Sequence, residues 1–168
     1  VKLFLLGMMG TGKTYWAKKL AKKWKTGCYD LDFLIASHEE KSIGELFSED
    51  GEDYFRKSEA KVLRWFAEKK NFVLAVGGGT PFYHENMNWM NKHGVTVWID
   101  EPVPVLFERL KAERAHRPAI KELDDAGLLQ FIQAKLLQRM PFYEKAQYHL
   151  QGADITDAAF TKIRKEHA

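Results

Sequence analysis

The sequence predicts an α/β fold, a parallel sheet covered by helices on both faces, and three observations carry that reading. Apolar runs of strand length alternate with stretches of helical periodicity along the chain, the pattern of parallel strands joined by crossover helices. The 168 residues, 45% hydrophobic and 13% aromatic, suffice for one sizeable core and are too few for two ordinary domains. A glycine-rich segment, Gly7 to Thr14, follows the first apolar run directly and opens the first helical stretch.

The elements follow in order. Lys2 to Leu6 is the first strand, and Gly12 to about Lys25 the first helix, where Trp16, Leu20 and Trp24 recur at i, i+4 and i+8. Lys18, Lys19, Lys22, Lys23 and Lys25 then form the solvated face of an amphipathic helix rather than a nucleic-acid patch. Cys28 to Leu31 is a second strand, followed by helical pattern to about Lys70 and a third strand over Asn71 to Val76. In the helix from Glu85 to His93, Met87, Trp89 and Met90 have the spacing of core packing. Val95 to Asp100, a helix from Val103 to about Lys111, a long helix near Asp124 to Ala146, Tyr148 to Leu150 and a last helix complete the chain. No repeat, linker or low-complexity segment interrupts it.

Composition narrows the function. A net charge of +3, from 26 basic and 23 acidic residues, suits a small anionic ligand and not nucleic acid. A single cysteine, Cys28, forms no internal disulfide and has no zinc-site spacing around it, so a buried thiol in a reducing compartment is expected. His84, His93 and His116 fit neither a metal spacing nor a nucleophilic triad. No apolar run approaches the ~20 residues of a membrane span, and Leu3 to Leu6 leads into glycines rather than a cleavage site. The expectation is a cytoplasmic protein; the chain begins at Val1, and nothing functional is assigned before it.

Gly7-Met8-Met9-Gly10-Thr11-Gly12-Lys13-Thr14 is a P-loop pattern in its required context, after a strand and into a helix. The glycines let successive backbone N–H groups turn toward a phosphate, Lys13 adds charge at the β and γ groups, and Thr14 offers a hydroxyl oxygen to Mg²⁺. Asp30-Leu31-Asp32 is read as the end of the second strand, where i and i+2 side chains point the same way and two carboxylates reach the sheet's carboxyl edge. Such a pair suits a metal and a proton acceptor, though Asp32 also has the sequence context of a helix cap. Gly77-Gly78-Gly79 ends the third strand, where missing side chains allow backbone N–H groups to approach a ligand. Arg56 and Glu59 share a helix face and, taken alone, read as a surface ion pair.

Together with Gly51 to Glu59, Arg117-Pro118 and Arg139-Met140-Pro141-Phe142-Tyr143, these segments resemble the shikimate kinase family from about Lys2 to Ala146. The resemblance implies a single three-layer P-loop kinase domain with a five-stranded parallel sheet in the order 2-3-1-4-5. A substrate-binding helical segment would span about residues 32–60 and a mobile lid about 112–121. It implies transfer of the γ-phosphoryl group of MgATP to the 3-hydroxyl of shikimate, on the route to chorismate and the aromatic amino acids, by a monomer. Lys13, Asp32 and Arg117 are then the catalytic positions, and Thr14 and Asp30 those for Mg²⁺. Gly10, Thr11, Gly12, Lys13, Thr14, Tyr15, Arg109 and Arg117 form the ATP side. Asp32, Arg56, Glu59, Gly77, Gly78, Gly79 and Arg139 form the shikimate side, with Arg56 and Arg139 on the carboxylate.

The chain departs from the family's usual Arg-Pro-Leu-Leu at Arg117-Pro118-Ala119-Ile120, and its lid is short after Arg109. Arg109 is preferred to Arg114 as the adenine-stacking arginine. Two alternatives stay open: another small-molecule P-loop kinase, such as a gluconate or nucleoside-phosphate kinase, and a nucleotide-dependent switch module. Two arginines beside an aspartate match a carboxylate with vicinal hydroxyls and favour shikimate over both.

Overall fold

The computed structural model describes Val1–Ala168. Five strands, β1 (Lys2–Leu6), β2 (Gly27–Asp30), β3 (Phe72–Ala75), β4 (Val95–Asp100) and β5 (Tyr148–Gln151), form one parallel sheet in the order β2-β3-β1-β4-β5. This is the expected topology. Alternation along the strands divides the core in two. Leu3, Leu5, Val73, Ala75, Val97 and Ile99 face α1 (Lys13–Trp24) and α8 (Asp157–Glu166). Phe4, Leu6, Phe72, Leu74, Val76 and Trp98 belong to the larger cluster on the other face. That cluster takes in α2 (Leu31–Glu39), α4 (Glu52–Arg64), α5 (Asn86–His93), α6 (Val103–Glu113) and α7 (Asp125–Tyr143).

Parallel register levels the strand ends. Leu5 pairs with Ala75 and Ala75 with Asp30, so β1, β2 and β3 leave the sheet together. The order reverses between β1 and β3, where an open α/β sheet leaves a crevice at its carboxyl edge. Gly7 makes the tight exit from β1: its φ is +139°, and a Cβ there would fall 2.4 Å from the Ile99 carbonyl oxygen.

Three expectations are corrected. The second strand ends at Asp30, and Leu31 and Asp32 lie in the first turn of α2, because Asp30 Oδ1 accepts the Phe33 N–H at 3.1 Å and caps the helix. The helical pattern to Lys70 breaks into α2, the short α3 (Ile43–Glu45) continued by a π-helical turn at Leu46–Asp50, α4, and a 3₁₀ turn at Trp65–Glu68. Cys28 is exposed rather than buried, because β2 is an edge strand with none of its residues fully buried. Met87 and Met90 are buried in the core as expected.

Candidate active site

A cleft of about 660 Å³ opens at the carboxyl edge of the sheet. Met9 to Trp16 form one wall, Asp30, Asp32, Gly77 and Gly78 another, and Arg109 and Arg117 stand at its mouth.

On the P-loop side, Lys13 is buried and donates to the Gly7 and Met8 carbonyls at 2.6 and 2.9 Å. Burial lowers its ammonium to about 7, partly opposed by the charge of Asp32. Thr11 Oγ1 donates to the Met8 carbonyl at 3.0 Å, which fixes the loop. Thr14 Oγ1 donates to Asp30 Oδ2 at 3.0 Å, which brings the first turn of α1 against the carboxyl end of β2. Tyr15, an exposed residue, stacks edge-on against Trp16 beside them. Arg109 Nη1 donates to the Gly10 carbonyl at 2.9 Å and its Nη2 to Glu101 at 2.8 Å. Arg114 turns away, toward the Leu123 carbonyl and Asp125, and does not line the cleft. Arg117 is held by Glu113, with Nε and Nη2 at 3.0 and 2.7 Å from the same oxygen.

The inner end is built on α4 and α7. Arg56 and Glu59 lie on the face of α4 that also buries Phe55, Val62 and Leu63, and their side chains are 10% and 1% exposed. The surface ion pair read from spacing is therefore a buried one. Arg56 Nη1 donates to both Glu59 oxygens at 3.0 and 3.2 Å, and Glu59 Oε2 also accepts from Thr80 Oγ1 at 2.7 Å. Arg139, buried on α7, forms no ion pair; its Nη1 meets the Met8 sulfur at 3.6 Å. Asp32 is pushed up to about 6, chiefly by burial and then by Asp30 and Glu59.

The three glycines make room for these groups. A Cβ at Gly77 would lie 3.2 Å from Asp32 Oδ1, one at Gly78 2.7 Å from Arg139 Nη1, and one at Gly79 2.6 Å from Arg56 Nη2. None of the three has a positive φ, so side-chain space rather than backbone freedom accounts for them. One turn of chain thus brings a carboxylate and two guanidinium groups to consecutive peptide units.

The shikimate kinase family model matches residues 9–167. The chain belongs to the shikimate kinase family. A shikimate kinase from Bacteroides thetaiotaomicron is 40% identical over 157 residues, 94% of this chain and 90% of that protein. One from Nostoc punctiforme is 41% identical over 150 residues, 89% and 80% of the two chains. Among solved structures, shikimate kinase from B. thetaiotaomicron superposes with a TM-score of 0.89 at 37% identity, covering 99% of this chain and 98% of that one. The Acinetobacter baumannii enzyme in complex with shikimate gives 0.85 at 29%, covering 99% and 92%.

Within this shikimate kinase fold, the residues picked from sequence divide between the cleft and its inner end. Gly10 to Tyr15, Asp30, Asp32, Gly77, Gly78, Arg109 and Arg117 line the cleft, while Arg56 and Arg139 abut Gly79 and Gly78. Asp32 arrives from a helix turn rather than a strand. Sequence reasoning missed Glu101 and Glu113, the carboxylates that hold Arg109 and Arg117. It also gave no role to Tyr143, whose hydroxyl donates to the Gly78 carbonyl and whose burial pushes its phenol up to about 12. The only sequence signal was proximity: Glu113 stands one helical turn before Arg117, and Tyr143 one turn after Arg139.

Proposed function

We propose that the chain is a shikimate kinase, transferring the γ-phosphoryl group of ATP to the 3-hydroxyl of shikimate to give shikimate 3-phosphate and ADP. The observation that carries the reading is the pair of buried guanidiniums against Gly78 and Gly79, of which Arg139 has no carboxylate partner and Arg56 keeps a buried, unpartnered Nε. Buried cations are stable when an anion meets them, and a planar carboxylate matches the guanidinium fork. The gluconate kinase and switch readings lack support of comparable weight, since family membership and this anion end point to one acceptor.

Phosphoryl transfer asks for alignment and charge stabilisation rather than covalent help from the protein. The amides of Gly10 to Thr14 and the Lys13 ammonium hold the phosphates, and phosphate charge beside Lys13 offsets the burial that lowers its pKa. Asp32 binds the acceptor hydroxyl and takes its proton, a role suited to a carboxyl whose pKa stands near 6. Arg117, released from Glu113, meets the transferred group, and Arg109 covers the adenine. The Thr14 hydroxyl and Asp30 carboxylate are hard oxygen donors that fit Mg²⁺, which when bound would neutralise phosphate charge. We read residues 112–121 as the lid; Pro118 already lies 3.4 Å from where a Cβ of Gly44 would stand. The enzyme is placed in the cytoplasm and as a monomer within this proposal; no helix is long and apolar enough to cross a membrane.

The test is ADP release measured across shikimate, quinate and gluconate. Strong stimulation by shikimate alone is expected. ATP turnover unchanged by shikimate, or preferred by gluconate, would overturn the assignment.

A further inference from the structure

Arg56 is held in its plane by one nitrogen only. Both contacts to Glu59 come from Nη1, and Nε is buried without a partner, so Glu59 leaves the guanidinium free to turn about that edge. The ring of Tyr83 packs on the guanidinium, its centroid 4.1 Å from Arg56 Cζ, with the Phe55 ring at 5.1 Å and Gly79 against Nη2. The Tyr83 hydroxyl in turn donates to Glu52 Oε1 at 2.9 Å, and Glu52 stands one turn before Arg56 on α4. Tyr83 therefore ties the turn after the three glycines to the helix that carries Arg56. Its neighbour Phe82 packs on Phe142 of α7 at 4.7 Å between centroids, anchoring the same turn to the helix that carries Arg139.

We propose that Tyr83 is a positioning residue that sets the plane of Arg56 and so the site's affinity for the acceptor's carboxylate. The proposal rests on the reading that Arg56 binds that carboxylate. A cation against an aromatic face is attracted by the ring quadrupole, and the attraction grows when both are desolvated. A fork-on-fork contact with a carboxylate needs the guanidinium plane fixed in advance, because two parallel bonds form only in one orientation. Tyr83 thus acts through Arg56 and makes no claim on the phosphates.

The experiment is a kinetic cycle on the full chain with Tyr83→Leu, Tyr83→Phe, Tyr83→Trp, Arg56→Ala and the double variant Tyr83→Leu/Arg56→Ala, each checked by thermal melting. Tyr83→Leu is expected to raise the shikimate KM about 3- to 30-fold with ATP KM and kcat near wild type, the range a desolvated cation–aromatic contact supports. Tyr83→Phe and Tyr83→Trp, which keep the ring, should stay within about threefold of wild type. The double variant should be no worse than Arg56→Ala, and the amide of shikimate, which lacks the charge, should respond little to Tyr83→Leu. Should Tyr83→Leu fail to fold, Tyr83→Met, which also removes the ring, takes its place in the kinetic cycle and in the amide comparison. Loss of ATP affinity in step with shikimate, full additivity with Arg56→Ala, or loss in the ring-keeping variants would overturn the role of Tyr83 alone. An Arg56→Ala enzyme with wild-type shikimate KM would instead overturn the underlying reading of Arg56.

Discussion

Asp32 is where burial, charge and chemistry meet in one side chain. Its carboxyl is raised to about 6 by burial, so the folded state holds the proton more tightly than the unfolded chain, whose aspartate titrates near 3.8. The stabilising contribution of that proton is complete below pH ~4 and is lost as pH rises through about 6. Asp32→Asn should therefore raise stability by roughly 1–3 kcal/mol at pH 7, the gain fading as pH falls from about 6 and absent below pH ~4, while cutting kcat and sparing ATP binding. Thermal melts across pH and steady-state kinetics check both halves; near wild-type turnover would remove Asp32 from catalysis. In the wild type, turnover should fall as pH drops through about 6 and the carboxylate is protonated. The glycines give a second test at this scale. Gly79→Ala puts a methyl 2.6 Å from Arg56 Nη2, the far end of a flexible side chain, so the fold should survive while Arg56 shifts. We expect the shikimate KM to rise about 10- to 100-fold with ATP KM unchanged, because small misplacement of a binding group is costly.

Among elements, α4 carries charge on its buried side. Its core-facing stripe includes a buried arginine and a buried glutamate, positions where an ordinary helix carries aliphatic residues. Removing one member leaves the other charge unpaired, so Glu59→Gln should lower stability by about 3 kcal/mol in urea denaturation and raise the shikimate KM. An unchanged midpoint would mean that Arg56 finds another partner. This element also marks how far the sequence was readable. The i, i+3 spacing of Arg56 and Glu59 was plain, but burial was not, since it depends on Thr80 and the glycines from β3 closing over them. Asp32 was found for a mistaken geometric reason. Strand alternation was extended two residues too far, and the Asp30 side chain, by capping Phe33, starts the helix there instead. Cys28 was misjudged because apolar character does not reveal that β2 lies at the sheet edge.

Taken whole, the molecule divides its site between the two halves of one sheet edge. β1 and its P-loop form one wall, while β3, α4 and α7 bring two buried arginines to the glycine turn, and the crevice between β1 and β3 joins them. The P-loop, the strand alternation and the glycine run were legible because each is local. Long-range pairings such as Arg109 with Gly10, or Tyr143 with Gly78, have no local signature. Arg117 belongs to this scale because the 112–121 segment carries it across the cleft mouth. Arg117→Ala should lower kcat about 10²–10³-fold, as loss of a transition-state donor does, with equilibrium binding of both substrates close to wild type by calorimetry.

The phosphoryl group is expected to leave ATP for the 3-hydroxyl of shikimate rather than for water. Phosphorus NMR of a reaction containing ATP, Mg²⁺ and shikimate reads this directly. A phosphomonoester signal coupled to the C3 proton, growing in step with ADP, is expected; inorganic phosphate as the only product would overturn the assignment.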